Sequence, residues 1–341
     1  MTDAHPARRR DRDDNDIAEP AADKSLAGDT SAPTEVGAER AQVDTLYTEG
    51  LEVKPQTQWS LARRRFFRHR LAVGSLVVLI IIFGAGVFAE TVAPYSFEEQ
   101  NFEDSALGPT FENKHFFGTD VLGRDYFSRV VFGIKTSEQV ALVVALLSTI
   151  IGVLIGAVAG YFGGWLDNLL MRVTDLFLTL PYIAVLLVFS ALLGQGQPLR
   201  VAVILAFFFW TTLARIVRGQ FLSLREKEYV EAAKAAGATD MRIIFRHILP
   251  NITGTIVVNA TFTIAAAIAV EAALSFLGFG VRPPTPALGK LISDAEGEML
   301  TGHWWLGVFP GLMIVFIIMC VNFVGDGLRD ALDPTQRRVR A

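Results

Sequence analysis

The sequence predicts an all-α polytopic membrane protein with six transmembrane helices behind a long polar tail. Three observations carry that expectation. The chain of 341 residues is 51% hydrophobic and only 19% charged, whereas water-soluble domains carry about a quarter charged residues. Its apolar residues gather into long uncharged runs after residue 70, and residues 1–57 hold almost none of them. Lysine and arginine flank those runs unevenly, as they do where one set of loops stays in the cytosol.

Residues 1–58 come first. The stretch 1–57 carries thirteen acidic and seven basic side chains, a balance of −6, while the remainder carries 24 basic and 22 acidic ones, a balance of +2. So acidic and polar a segment buries too little apolar surface to offset its chain entropy, and it is expected to be disordered. The formal net charge of −4 averages these unlike parts. It points to no nucleic-acid partner.

The first run, Leu71–Ala89, is 19 uncharged residues, enough to cross a hydrocarbon core of about 30 Å. Arg63, Arg64, Arg65, Arg68 and Arg70 precede it, interleaved with Trp59, Phe66 and Phe67. A basic block abutting a span holds that end in the cytosol, and the aromatics suit the headgroup layer. Further runs are Val140–Gly160, Leu176–Leu193, Val201–Ala214, Ile252–Val270 and Trp304–Val324. Val201–Ala214 is only 14 residues, a length that also suits a buried or re-entrant segment. Topology decides for a span, extended to about residues 199–218 by snorkelling arginines. With six crossings, 17 lysines and arginines fall inside and 7 outside; removing the short span puts the seven of residues 215–250 outside. Both termini are therefore expected in the cytosol. The full set of spans is about 71–89, 140–160, 176–193, 199–218, 252–272 and 304–324.

Within the spans, Gly152, Gly156 and Gly160 form one smooth face for close helix approach. Pro181 and Pro310 are expected kinks. Glu271, near the end of the fifth run, is either a pathway residue or a helix-packing carboxylate. The lone Cys320 lies in an apolar run and offers neither a disulfide nor a metal site. The histidines (His5, His69, His115, His247 and His303) fall in loops, the tail or span edges, which argues against a membrane-embedded enzyme. No G-x-x-x-x-G-K-[ST] loop occurs; Gly289-Lys290 is followed by Leu291. No catalytic, cofactor-binding or metal-ligating residue is expected.

The connection between the fourth and fifth spans is the most informative stretch. Residues 225–236 are strong helix formers, and Gly237 is a natural left-handed stop. Thr239 can cap a second helix that Pro250 should end. Helices within 225–248 should thus form a helix, glycine turn and helix. The thin face of Ala232, Ala233, Ala235 and Ala236 suits a partner protein.

Here the chain resembles a known family. Glu231-Ala232-Ala233, Gly237 and Ile248-Leu249-Pro250 stand at the spacing of the loop that binding-protein-dependent ABC import permeases present to their ATPase. Three further stretches narrow the resemblance to the C-type permease of the dipeptide, oligopeptide and nickel importers. They are Phe117–Asp125 with Ser128, Arg129 and Gly133; Tyr161–Asp167 with Met171, Arg172, Asp175 and Pro181; and Leu274–Gly278 with Gly325–Pro334. The likeness covers about residues 60–335, and the acidic tail departs from the family's usual short N-terminus.

The resemblance implies a type I ABC importer permease fold in a bacterial inner membrane, carrying di- or oligopeptides by alternating access. It implies a second homologous permease, two cytosolic ATPases that bind the ATP, and an external solute-binding protein. ATPase coupling would fall to Tyr229, Glu231, Ala232, Ala233, Ala236, Gly237, Ile248, Leu249 and Pro250. A secondary transporter or channel without an ATPase is the rival reading, and the scarcity of charged residues in the spans counts against it.

Overall fold

The computed structural model describes residues 58–193 and 196–332. The expectation for the tail lies outside the described residues up to position 57; Gln58 itself already belongs to a helix. Every regular element among the described residues is helical.

Helix α1 (Gln58–Phe66) carries Arg63, Arg64 and Arg65 and leads into α2 (Arg70–Val87), whose first turn is capped by His69 Nδ1 accepting from Ala72 N at 3.1 Å. A short turn α3 (Ala89–Val92) and an extended loop follow. Helix α4 (Tyr126–Phe162) is 37 residues long, so it runs about 55 Å and outreaches a core of about 30 Å. The run beginning at Val140 is therefore only the membrane-depth part. Asp125 starts the helix fourteen residues earlier, accepting from Ser128 N at 2.7 Å.

The loop before α4 is fixed by its polar residues. Asp120 accepts from Leu122 N and Arg124 N through Oδ1, and from Arg124 and Arg129 through Oδ2. Gly123, at φ +70°, lies so close that a Cβ there would stand 1.7 Å from Asn101 O. Only glycine fits.

The third expected span needs correction. Residues 176–193 are not one rod: α5 (Gly164–Thr179) and α6 (Tyr182–Leu193) meet at 89° across Leu180 and Pro181. Proline removes the amide and disfavours helix in the residue before it, and Leu180 is extended at ψ 139°. The doubt raised over 201–214 belongs here instead. That run sits inside α7 (Pro198–Leu224), 27 residues long with proline in its first turn. Two ion pairs tie α5 to α7. Arg218 donates to both oxygens of Asp167 at 2.5 and 2.7 Å, and Arg215 pairs with Asp175.

After the connecting loop, α10 (Leu249–Phe276) is continuous with the loop's last turns, and α11 (Leu288–Leu300) precedes α12 (Trp305–Leu332). Pro310 lies inside α12, which is assigned as one helix across it. The longest interface is that of α4 with α7. There Gly152, Gly156 and Gly160 face α7: an added Cβ would meet Trp210 O at 2.9 Å, Ala214 O at 2.5 Å and Phe221 Cβ at 2.6 Å, respectively. Close approaches also join α12 to the other helices: a Cβ on Gly254 would stand 3.3 Å from Leu332 Cβ, and one on Gly327 2.3 Å from Ala72 Cβ and 3.3 Å from the Phe66 ring.

Candidate functional site: the 225–250 loop and its adjoining cleft

The loop begins where Arg225 closes α7. Its guanidinium donates to Gly160 O and Tyr161 O at 3.2 and 3.3 Å, satisfying carbonyls at the end of α4. Helix α8 (Glu228–Ala235) follows and is shorter than the expected 225–236. It ends with Gly237 at φ +78°, Gly237 N donating to Lys234 O and Ala238 N to Ala233 O. This paired closure is the Schellman motif, with glycine in the left-handed position.

The second helix is reduced to the turn α9 (Asp240–Arg242) and a π-helical turn at Ile243–Ile248. Thr239 stands at the N-cap but makes no side-chain cap bond. Pro250 does not end this segment, contrary to expectation; it stands in the first turn of α10. The widened turn explains this. Leu249 N bonds back five residues to Ile244 O, and the proline falls where an amide would be spare.

One face of the loop is bolted to the bundle. Val230, Ile243, Ile244 and Ile248 are buried with Ala157, Tyr161, Val217, Phe221 and Ile252. Tyr161 Oη donates to Asp240 Oδ1 at 2.6 Å, and Lys234 Nζ lies 5.8 Å from the Tyr161 ring centre. The opposite face is bare. Tyr229, Glu231, Ala232, Ala236, Gly237 and Pro250 are exposed, and Ala233 and Leu249 are half-buried. Ile248 is wholly buried, so of the loop residues singled out by sequence it anchors rather than presents. Sequence reasoning passed over Met241 and Phe245, exposed at 66% and 55%. They extend the bare face beyond the alanines, and a pair of large apolar residues in a turn between charged ones was the available signal.

Beside the loop, a cleft runs along α10. Its outer chamber, about 410 Å³, is lined by Phe177, Tyr182, Phe208, Thr211, Asn259 and Thr263, among others. An adjoining chamber of about 490 Å³ reaches Gly254, Arg329 and Leu332. Asn259 and Phe262 line both chambers, so the two are neighbours along α10. From Gly254 to Val270 the lining of α10 covers about 24 Å, most of a hydrocarbon core of about 30 Å.

Glu271 is not on that wall. It is 0% exposed and accepts from Ser137 Oγ at 2.9 Å and Ser275 Oγ at 2.7 Å, joining α10 to α4. Of its two expected roles the geometry gives helix packing. Ser137→Ala leaves this buried carboxyl one donor short, an omission of about 1–3 kcal/mol. The variant should show a lower melting temperature in detergent, and Ser275→Ala the same; unchanged melting in both would exclude the role.

Comparison with known proteins places the chain. A family model described as binding-protein-dependent transport system inner membrane component matches residues 152–338. A second, described as the N-terminal TM domain of oligopeptide transport permease C, matches residues 57–109. The oligopeptide transport system permease protein OppC of Escherichia coli (strain K12) is 41% identical over 291 residues, 85% of this chain and 96% of that protein. Its counterpart in Mycobacterium tuberculosis (strain ATCC 25618 / H37Rv) is 40% identical over 282 residues, covering 82% and 96%. The dipeptide transport system permease protein DppC of Bacillus subtilis (strain 168) is 40% identical over 277 residues, covering 81% and 86%. A solved structure of the inward-facing MetNI methionine ABC transporter superposes with a TM-score of 0.51 at 20% identity, over 61% of this chain and 97% of that one. It shares the fold. With the resemblance seen in the loop motifs now matched along most of the chain, this protein belongs to the binding-protein-dependent transport system inner membrane components, as a C-type permease subunit of an ABC importer.

Proposed function

We propose that this permease carries di- or oligopeptides, and that the bare face of the 225–250 loop receives a separate ATPase subunit. The carrying observation is the division of the loop into a buried anchor and an exposed, small-residue face. Force applied at Ala232, Ala236 or Met241 passes through Val230, Ile243 and Ile248 into α4 and α7 without slack, because these side chains are close-packed. ATP would be bound by the partner, a reading supported by the lack of a G-x-x-x-x-G-K-[ST] motif in this sequence.

The assembly would contain a second homologous permease, two ATPase subunits and an external solute-binding protein, embedded in lipid. The basic residues of 215–250 and the arginines before α2 support a cytosolic side for both termini and the loop. The cleft along α10 would be this subunit's half of the pathway, completed by the second permease. ATP and loaded binding protein then act by favouring different states of the bundle. Peptide cargo is supported by the names of the relatives, which are oligopeptide and dipeptide permeases.

A cysteine at position 236 tests the docking face. In the assembled importer, Ala236→Cys should cross-link to a single-cysteine ATPase subunit, while Ile248→Cys, buried under the loop, should not. Absence of any cross-link at 232, 236 and 241 would exclude this face as the contact.

A further inference from the structure

Helix α1 is seated on the last helix of the bundle. Ala62 and Phe66, four residues apart and so on one face, are buried, and the Phe66 ring lies close to Gly327 of α12. This seating leaves a groove of about 530 Å³ between α1, α10 and α12. Its wall is mostly apolar, with Phe66, Val257, Leu328 and Leu332 among its residues. The two polar exceptions, Ser60 and Arg63, both belong to α1.

A second observation concerns charge. Arg63, Arg64, Arg68 and Arg70 are exposed, and none of them forms an ion pair or side-chain hydrogen bond among the described residues. Elsewhere in the bundle Arg124, Arg129, Arg215 and Arg218 each hold an aspartate. The described residues supply no counter-charge to the four, and a bound anion would relieve their mutual repulsion.

Position and the apolar wall choose the anion. Arg70 is the first residue of the α2 span, so these arginines stand at headgroup level. Phe67, exposed among them, suits the same layer. A soluble anion satisfies the guanidiniums but leaves the groove bare. A zwitterionic lipid fills the groove, yet its own cation is repelled by the arginines. A phospholipid of net negative charge meets both demands, because its phosphate accepts from arginine while its acyl chain covers the apolar wall.

We infer that the groove between α1, α10 and α12 binds one anionic phospholipid, its phosphate at Arg63 and an acyl chain against Phe66, Val257, Leu328 and Leu332. Bound there, the lipid ties α1 to α10 and α12. The site is independent of which cargo the permease carries.

Native mass spectrometry of the delipidated importer in detergent tests the site, with phosphatidylglycerol and phosphatidylcholine of identical acyl chains added in equal amounts. The parent should retain phosphatidylglycerol in preference. Arg63→Gln should cut that preference about fivefold, and the triple change with Arg64→Gln and Arg68→Gln about a hundredfold. These guanidiniums hold no partner among the described residues, so melting without lipid should match the parent, which separates lost binding from lost fold. Val257→Phe narrows the groove with every arginine in place, and it should abolish the preference. Arg282→Gln removes an exposed arginine from the loop between α10 and α11 and should leave the preference intact. Equal retention of the two lipids by the parent, or retention of neither, overturns the site. A preference that survives the triple change does the same. One that survives Val257→Phe reduces the arginines to a diffuse surface charge and overturns the groove. A loss in Arg282→Gln as large as that in Arg63→Gln would also overturn it.

Discussion

Replacing Gly237 with valine is expected to bring binding-protein-stimulated ATP hydrolysis down to the basal rate while the bundle stays folded. Gly237 holds φ +78° with nothing within 4 Å of where a Cβ would stand. The obstacle is therefore torsional and not steric crowding by neighbours. A left-handed residue costs about 1–2 kcal/mol for an ordinary side chain, and β-branching makes that conformation a clear outlier. Relief comes by unwinding the end of α8, which forfeits the bonds from Gly237 N to Lys234 O and from Ala238 N to Ala233 O. A strain of that size shifts a local equilibrium by about 5–30-fold. Ala232 and Ala236 then lose their fixed place on the bare face. The anchor survives, because Val230, Ile243 and the Tyr161–Asp240 bond lie on the other side. Asparagine tolerates the left-handed region, so Gly237→Asn should restore most of the stimulation. ATPase assays on the reconstituted importer, with and without loaded binding protein, read the effect; melting in detergent should be nearly unchanged. Normal stimulation in Gly237→Val would remove the glycine turn from the coupling scheme.

Much of this arrangement was legible in the chain because each signal was local. Nineteen uncharged residues after five arginines, glycines at every fourth position and a glycine after an alanine-rich helix each state their own structure. The misreadings came where one local rule met a second element. Pro250 is a helix breaker by rule, yet the π turn before it lets α10 run on from the loop. The run Leu176–Leu193 has the composition of a span, but its first residues belong to a separate helix, α5, held by Arg218 and Arg215 from α7, partners about 40 to 50 residues away. Glu271 could not be assigned from sequence, since its donor Ser137 is 134 positions away. The cleft escaped sequence reading for the same reason. Thr211 and Asn259 are ordinary polar residues in apolar helices until folding sets them on facing walls.

Gly156→Val should cost the protein its fold. In a membrane, lipid is as apolar as a leucine side chain, so helices associate through close packing and not through escape from water. The interface of α4 and α7 depends on that closeness along one stripe. A Cβ at 156 would stand 2.5 Å from Ala214 O and 2.8 Å from Val217 Cβ. The first of these is a backbone atom inside a helix and cannot rotate away. Forced insertion into a packed core costs about 1–3 kcal/mol, and valine adds two methyl groups beyond the Cβ. The helices must part, and the parting spreads to the neighbouring contacts of Gly152 with Trp210 O and Gly160 with Arg218 O. It also draws Gly160 O and Tyr161 O from Arg225, which releases the root of the loop. Loss of assembly and of ATPase stimulation should therefore go together, unlike the selective loss in Gly237→Val. Gly219→Ala in α7 is the matched control, because a Cβ there meets nothing within 4 Å and alanine favours helix by about 1 kcal/mol. Size-exclusion profiles and melting curves of the co-expressed importer read both variants. A Gly156→Val importer that melts like the parent would mean that α4 and α7 are not held by this stripe.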